Sequence, residues 1–370
     1  MIVIMVHILS DIFSKFIKTL QLWRDILRRK LGILLFDRHP SVKSSSHGAT
    51  VFVRWDAKLG DAIVSSWVAR EIKNKFPERK VYVITSSAMA PLFRDFFNFD
   101  SVFEIPKRAG YIELKKLASE LGDVDYLVHF SQKMKMKDLY FISNVGSKNV
   151  AGIDDDLDCI NIKLGQETAG MHFATKFKVL LEHMGIVNPD TSYIVPFFQD
   201  FEDRVGSWWP SHKTLCFNPY GSGTSRCFSV EKIIELINTM LGSSNYNICL
   251  LYPPGREKDV ERVVSHVYDP ARVIIDHEKP SLAALFAQAR HCAGMVSVDT
   301  ATVHIATGLN KPVLGIYNDN FGMPENVEWH PNNPRSSIIY AETRSAQQDV
   351  NFINVAEFKS VFEKWVADYL

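Results

Sequence analysis

The sequence has few cysteines, no net charge and no long apolar run. Its five cysteines are scattered over 370 residues without a C-x-x-C pair, which indicates neither a disulfide framework nor a zinc site. Lysine plus arginine equals aspartate plus glutamate at 42 each, so there is no overall attraction for nucleic acid. These absences predict a protein of the reducing cytoplasm.

The N-terminal region also lacks a membrane-spanning segment. The first nine residues are apolar but too short to span a bilayer, and they lack the cleavage site of a secretory signal. Residues 11–36 have apolar side chains at helical spacing with basic ones between them, which predicts an amphipathic helix. Such a helix either lies on an anionic membrane surface or packs on the body of the protein. The serine-rich segment 39–48 predicts a linker after it.

The rest of the chain alternates short β-rich runs with helical patterns in two series. The first series covers 49–186 and the second covers 213–340, separated by a proline-containing segment, 187–212, that we expect to be an irregular interdomain linker. We therefore predict an α/β fold with two Rossmann-like parallel-sheet domains facing a central cleft. The helix and linker of 1–48 precede these domains, and a C-terminal segment with a helix, 341–370, follows them.

Two local expectations complete this organisation. Residues 62–75 have a helical pattern and predict a single helix after the first strand. The acidic run 154–158 predicts a solvated loop, because clustered like charges usually remain in water. A magnesium site is the alternative interpretation of that run.

The first candidate site is the run from Lys58 to Asp61, which follows an apolar strand and opens a helix. Gly60 permits a tight turn and close approach of a substrate to the backbone. Asp61 stands where a helix N-cap belongs, so capping is one interpretation. The other is a carboxylate that accepts a proton from an acceptor hydroxyl, with Lys58 steering an anionic acceptor.

The second candidate site is a loop of glycine, serine and threonine after the first strand of the second series. Its small residues, Gly221 and Ser222 among them, offer N–H groups that predict a cradle for an anion. Arg226 supplies a planar cation suited to a diphosphate. The loop lacks the Gly-Lys-Ser/Thr ending of a Walker motif, and an ordinary turn is the alternative.

The third candidate site is a strand that ends in Asp299 and Thr300 and leads into a helix. His304 lies one helical turn further on, on a face shared with Thr300 or Ala301. The N–H groups at this helix start can meet a phosphate. Alternatively, Asp299 caps the helix and His304 packs in the core.

Three further residues are candidates because they follow predicted strands. Glu257 would accept hydrogen bonds from ribose hydroxyls, Pro280 would line the base, and Lys133 would border the acceptor. Each is equally compatible with a plain loop or a solvated face.

Together and in this order, these motifs resemble glycosyltransferase family 9, the bacterial lipopolysaccharide heptosyltransferases. The resemblance covers residues 49–319. Leu59-Gly60-Asp61 is similar to the early Gly-Asp motif of the family, 218–226 to its phosphate loop, and 298–304 to its Asp-Thr-Gly-x-x-His signature. Ala301 replaces the usual glycine of that signature, so its backbone must fit without a positive φ.

The resemblance implies a GT-B fold and an inverting transfer of heptose from ADP-heptose to an inner-core or related glycan acceptor. It implies a lipid-linked or oligosaccharide acceptor. From the composition we expect a cytoplasmic protein with no nucleic-acid partner. The helical pattern of residues 11–36 is compatible with contact with the cytoplasmic face of the inner membrane; this N-terminal extension is atypical of the family. Asp61 would be the general base, and Lys58 and Lys133 would bind the acceptor. The donor would be bound by Gly221, Ser222, Arg226, Glu257, Pro280, Asp299, Thr300, Ala301 and His304.

In the implied reaction, Asp61 accepts the acceptor proton while the nucleotide diphosphate leaves from the anomeric carbon. Fixed donors meet the charge on the leaving phosphates, so we expect neither a metal nor another cofactor. Three alternatives stay open: transfer from another nucleotide sugar in surface polysaccharide synthesis, epimerisation of a sugar nucleotide, and nucleotide binding without catalysis.

Overall fold

The structure is a computed structural model that describes residues 2–40, 48–318, 325–344 and 347–370. The strands are β1 (Ala49–Arg54), β2 (Val81–Thr85), β3 (Ser101–Glu104), β4 (Val124–His129), β5 (Asn149–Gly152), β6 (Ile162–Lys163), β7 (Thr214–Asn218), β8 (Asn247–Leu250), β9 (Val273–Ile274), β10 (Gly294–Val298), β11 (Val313–Asn318), β12 (Ser336–Ala341), β13 (Thr343–Arg344) and β14 (Gln347–Gln348). The helices are α1 (Ile2–Phe36), α2 (Leu59–Val64), α3 (Val68–Lys75), α4 (Ala90–Asp95), α5 (Tyr111–Glu120), α6 (Met136–Val145), α7 (Phe173–His183), α8 (Gln199–Trp208), α9 (Val230–Ser243), α10 (Glu257–His266), α11 (Leu282–His291), α12 (Ala301–Gly308), α13 (Glu325–Glu328) and α14 (Val355–Tyr369).

The chain forms two compact units, and each unit is assembled from three separate segments of the sequence. Helix α2, for example, belongs to unit 2, whereas β1, which directly precedes it, belongs to unit 1. Unit 1 comprises Met1–Asp56, Ile72–Ala90 and Phe99–Ala169, and unit 2 comprises Ala57–Glu71, Pro91–Asn98 and Gly170–Leu370.

Each unit contains a six-stranded parallel sheet, and the two sheets have the same topology. The order is β3-β2-β1-β4-β5-β6 in unit 1 and β12-β11-β10-β7-β8-β9 in unit 2. Every residue of β1, β7 and β10 is buried, as expected for central strands covered by helices on both faces. The prediction of two parallel α/β sheets is confirmed.

The C-terminal helix α14 packs on the core of unit 2 through its apolar side chains. Phe358, Phe362 and Trp365 are buried in the same cluster as Leu215 and Phe217 of β7. Burial of side chains of this size stabilises the unit by roughly 2 kcal/mol each.

Helix α1 packs on unit 1 through one face and exposes the opposite one. Ile33 and Phe36 contact the core, and a Cβ on Gly32 would lie 2.8 Å from the Cα of Met136 in α6. On the other side lies a row of exposed apolar residues, which we name the apolar stripe; Trp23 is 66% exposed. The stripe consists of Leu20, Trp23, Leu27, Leu31 and Leu34. Among the described residues, no helix is both long and apolar enough to cross a bilayer.

Two local expectations were wrong. Residues 62–75 form two helices, since Ser65 and Ser66 interrupt the pattern: the Ser65 hydroxyl donates to the Asp61 carbonyl, and the Ser66 hydroxyl accepts from the Ile194 N–H. In the acidic run 154–158, which we expected to be solvated, Asp154 is buried.

Asp154 is buried because it binds the Arg29 guanidinium of α1. Arg29 Nη1 lies 2.6 Å from Asp154 Oδ2, and Nη2 lies 2.9 Å from Oδ1. Asp154 Oδ2 also accepts the Met134 N–H at 2.7 Å. The acidic run therefore anchors α1 through a bidentate ion pair.

The segment 187–212 is not irregular throughout. It contains α8 at 199–208, and its three prolines lie outside that helix, so they do not oppose it. Six other helices and strands, α6, β6, α13, β12, β13 and β14, were not predicted from the sequence.

Candidate active site

The candidate site lies at the carboxyl ends of β7 and β10 in unit 2. These strands are neighbours at the centre of the sheet, and the strand order proceeds in opposite directions from them. Open parallel sheets bind ligands at such a switch point. The loop 219–226 follows β7, and Asp299 and Thr300 follow β10.

One cavity at this edge brings together the three predicted motifs. Its volume of 520 Å³ lies within the usual range of about 300–1,000 Å³ for ligand cavities, and we name it the phosphate cavity. It is lined by Lys58, Leu59, Gly60, Asp61, Ser222, Ser225, Arg226, Asp299, Thr300, Ala301, His304, Asn318, Trp329 and Gln348.

Asp61 both caps its helix and lines the phosphate cavity. Helix α2 begins at Leu59, three residues earlier than an N-cap at Asp61 would require, so Lys58 is the N-cap and Asp61 is the third helical residue. Asp61 Oδ2 accepts the Lys58 N–H at 3.0 Å. The capping and the functional interpretations of this carboxylate are therefore compatible.

Gly60 allows α2 to approach the start of α12 closely. A Cβ at this position would lie 3.1 Å from His304 Cδ2 and 3.4 Å from Ala301 Cα. Ala301 is the first residue of α12 and has helical backbone angles, so it needs no positive φ. The close approach keeps Asp61 beside the residues that follow β10.

Arg226 forms an ion pair with Asp299 inside the phosphate cavity. Arg226 Nη1 lies 2.9 Å from Asp299 Oδ2, and 43% of the arginine side chain is exposed. Burial raises the pKa of Asp299, while the positive charges of Arg226 and Lys58 oppose that rise. The guanidinium is thus held at the cavity by a carboxylate, with donors left over for a phosphate.

The loop after β7 has a fixed shape. The Gly221 N–H donates to the Arg226 carbonyl at 2.9 Å, and a Cβ on Gly221 would lie 2.7 Å from Arg226 Cβ. Gly223 has a φ of 98°, which favours glycine. The loop therefore positions Arg226, although Gly221 itself does not line the phosphate cavity.

His304 is buried in the wall of this cavity. Burial, together with nearby His172, lowers the pKa of His304 to about 3, so its imidazole is neutral at pH 7. Its Nδ1 has no hydrogen-bond partner among the described residues. The Trp329 ring lies 5.8 Å away, between centroids. A neutral imidazole of this kind can exchange a hydrogen bond with a ligand without adding charge.

A second, mostly apolar cavity of 340 Å³ adjoins the first, and we name it the base cavity. It shares Leu59, Thr300 and Ala301 with the phosphate cavity. Its other lining residues are Asn218, Tyr220, Leu250, Leu251, Tyr252, Pro253, Pro254, Asp276, Pro280, Ser281, Leu282, Ala284, Leu285, Gln288 and Thr302. Apolar walls with few polar groups suit a planar base.

The polar groups of the base cavity are fixed by neighbours. Asp276 binds the Arg204 guanidinium at 3.0 and 2.8 Å and accepts from Gln288 at 2.9 Å. Asn218 donates to the Thr302 hydroxyl at 2.9 Å. These bonds hold the floor of the cavity rigid before any ligand binds.

Three predicted residues lie outside both cavities: Gly221, Glu257 and Lys133. Glu257 is exposed at the start of α10, where it accepts the Gly255 N–H at 3.0 Å. That bond and the helix N–H groups lower its pKa. Lys133 is exposed in unit 1. Within the described part of the chain, no group of three His, Cys, Asp or Glu is arranged to hold a metal ion.

The lining residues outside the predicted motifs include Asp276 and Trp329. Asp276 lies two residues after the end of β9, so its position after a strand could have identified it. Trp329 carries no local signal, because it reaches the phosphate cavity through contacts with distant parts of unit 2.

A family model and an individual protein that match this chain both describe heptosyltransferases. The family model of glycosyltransferase family 9 (heptosyltransferase) matches residues 169–357. A protein of Escherichia coli K12, provisionally named lipopolysaccharide heptosyltransferase 4, is 24% identical over 297 residues, 77% of this chain and 79% of that protein.

Two solved structures show the fold. A family 9 glycosyltransferase from Veillonella parvula has a TM-score of 0.68 at 13% identity and covers 89% of this chain and 100% of its own. An E. coli heptosyltransferase with ADP-2-deoxy-2-fluoro heptose has a TM-score of 0.60 at 15% identity, covering 85% and 99%. The predicted GT-B fold is thereby confirmed.

Proposed function

Since the chain belongs to glycosyltransferase family 9, we propose that it transfers heptose from ADP-heptose to an acceptor of the lipopolysaccharide inner core or a related glycan. The observation that carries this proposal is the phosphate cavity, in which Asp61, Arg226 and Thr300 meet. A similar heptosyltransferase of E. coli binds an ADP-heptose analogue, which supports the same donor here.

The two cavities of unit 2 divide the donor between them. The base cavity takes the adenine, with Pro280 in its wall. The phosphate cavity takes the diphosphate and the sugar, with Ser222 and Arg226 on the phosphates. The N–H groups at the start of α12, beyond Thr300, add a partial positive charge.

Asp61 acts as the general base in this mechanism. Its carboxylate accepts the proton of the acceptor hydroxyl as that oxygen forms a bond to the anomeric carbon. The bond from the anomeric carbon to the diphosphate oxygen breaks, and the leaving electron pair stays on the ADP. Arg226 and the α12 N–H groups stabilise the charge that develops there.

We also propose that the apolar stripe of α1 lies on an anionic membrane surface at the cytoplasmic face. Leu27 is 69% and Leu34 is 78% exposed, and the exposed cations Arg28 and Lys30 belong to the same helix. Co-sedimentation with vesicles containing phosphatidylglycerol tests this, and equal sedimentation of a Leu27→Gln variant would contradict it.

Asp61→Asn tests the proposed reaction. The amide keeps an oxygen for the Lys58 N–H, so the cap is retained, while the base is lost. We expect kcat to fall by about 10²–10⁴-fold, with the Kd of ADP unchanged. Mass spectrometry of the product and calorimetry of ADP binding measure the two quantities.

Glu113→Gln is the matched control, because Glu113 caps α5 in the same way and accepts the Gly110 N–H. It should leave kcat unchanged. A wild-type rate in Asp61→Asn would show that Asp61 only caps. An altered free sugar would identify an epimerase, and ADP binding without turnover over a panel of acceptors would identify a binding protein.

A further inference from the structure

Unit 1 contains a large basic cavity at the carboxyl ends of its strands. Its volume is 670 Å³, and Trp55 after β1, Ile105 after β3 and His129 at the end of β4 belong to its lining. Six cationic side chains also line it: Arg24, Arg28, Lys107, Arg108, Lys135 and Lys137. We name it the basic cavity.

The carboxylates in this cavity form an ion pair with only one of its six cations among the described residues. Asp25 pairs with Arg24 at 3.0 Å, and Asp138 binds the His129 ring at 3.2 Å. Burial opposes ionisation of Asp138, but the hydrogen bond and charge of His129, together with the backbone N–H and charge of Lys135, outweigh it, so the pKa of Asp138 is lowered. The remaining carboxylate in the lining is Asp56.

Among the residues that the structure describes, Arg24 is the only one of these six cations with a salt-bridge partner. Arg28, Lys107, Arg108 and Lys135 are exposed, and Lys137 donates to the Ala109 carbonyl. Unpaired cations that converge on one cavity favour an anionic ligand.

Helix α1 is held firmly where it meets this cavity. Arg29 forms the bidentate ion pair with Asp154, and Gly32 packs against Met136. Arg24 and Arg28 are one helical turn apart and share a flank of α1. The contacts of Arg29 therefore fix the position of the neighbouring Arg28.

We propose that α1 forms a wall of the acceptor site, where Arg24 and Arg28 bind anionic groups of the acceptor saccharide. This inference rests on the proposed function and names the acceptor class: a sugar that carries phosphate or carboxylate groups. Guanidinium groups bind both through paired N–H bonds. In sequence, only Ala57 separates Asp56 of the basic cavity from Lys58 of the phosphate cavity.

Arg28→Glu tests this proposal, with Lys30→Glu as the matched control. Lys30 is exposed on the same helix but does not line the basic cavity, so both variants change α1 by the same charge. Calorimetry with pyrophosphate and with citrate, each with ADP saturating unit 2, measures anion binding. We expect Arg28→Glu to weaken binding by about tenfold and Lys30→Glu to leave it unchanged.

The kinetic readout separates this role from a structural one. Arg28→Glu should raise the KM for the acceptor without changing kcat or the KM for the donor. Arg108→Glu, on another element, should act in the same way. Stronger binding of pyrophosphate indicates phosphate groups, and stronger binding of citrate indicates carboxylates.

Equal effects of Arg28→Glu and Lys30→Glu would overturn the proposal, as would the absence of binding by both anions. Either result can occur while the enzyme still forms a glycosidic bond, so it leaves the proposed function standing. Failure to form any glycosidic product would instead overturn the proposed function.

Discussion

The two units share one strand order but differ in charge at the same edge of the sheet. In unit 2, Arg226 pairs with Asp299 at 2.9 Å and Arg204 pairs with Asp276 at 2.8 Å. In unit 1, Arg28 faces the corresponding edge without a salt-bridge partner among the described residues. The same fold thus provides two sites of different electrostatic character.

This difference indicates two ways of binding a charged substrate. The paired cation of unit 2 is held in place, so the site selects its ligand mainly by shape and by hydrogen bonds. The unpaired cations of unit 1 attract anions over a longer range and select mainly by charge. The comparison predicts that substitutions, pH and salt affect the two units differently.

Arg226→Ala should produce the largest of these effects. Loss of a charge-assisted hydrogen bond costs about 1.5–3 kcal/mol, so we expect the Kd of ADP to rise by about 10- to 100-fold. Calorimetry measures this change. Arg256→Ala is the control, since Arg256 pairs with Asp259 and does not line the phosphate cavity. Equal losses in both variants would mean that Arg226 has no specific role.

The sequence predicted the central strands well. The two parallel sheets were predicted from alternating β-rich runs and helical patterns, because strands such as β2 and β10 are short apolar runs bounded by polar or turn residues. The three motifs at the phosphate cavity were also identified, since each follows a strand whose carboxyl end faces the switch point.

Other features depend on contacts between distant residues and could not be predicted. The burial of Asp154 requires Arg29, which lies 125 residues away. Trp329 reaches the phosphate cavity through packing against Phe173, with ring centroids 4.6 Å apart. No local pattern in the sequence encodes such contacts.

Acid should destabilise unit 2 before it affects the Asp138 bond of unit 1. Burial lowers the pKa of His304 to about 3 and that of His172 to about 4, below the ordinary 6.5. The unfolded chain therefore binds protons as pH falls below 6.5 while the folded unit does not, and stability is lost. At pH 5 this amounts to about 2 kcal/mol for each histidine.

Hydrogen exchange of unit 2 amides at pH 7 and pH 5 measures this loss. His304→Gln should remove part of it, whereas His277→Gln should not, because His277 is exposed. Because the pKa of Asp138 is lowered in the folded protein, its ionised form stabilises unit 1 above pH 3.8, the ordinary pKa of an aspartate. This contribution to stability is lost only as the pH falls below that value. Equal loss in both units at pH 5 would contradict the comparison.

Salt should have the smallest effect and should separate the two sites most directly. Between about 0.1 M and 1 M salt the Debye length falls from about 10 to 3 Å, which screens exposed charges more than paired, partly buried ones. We expect the KM for the acceptor to rise severalfold and the KM for the donor to change less. Arg28→Glu should flatten the acceptor dependence, because the cation that salt screens is then absent. Equal dependence of both KM values on salt would show that the unpaired cations of unit 1 do not bind the acceptor.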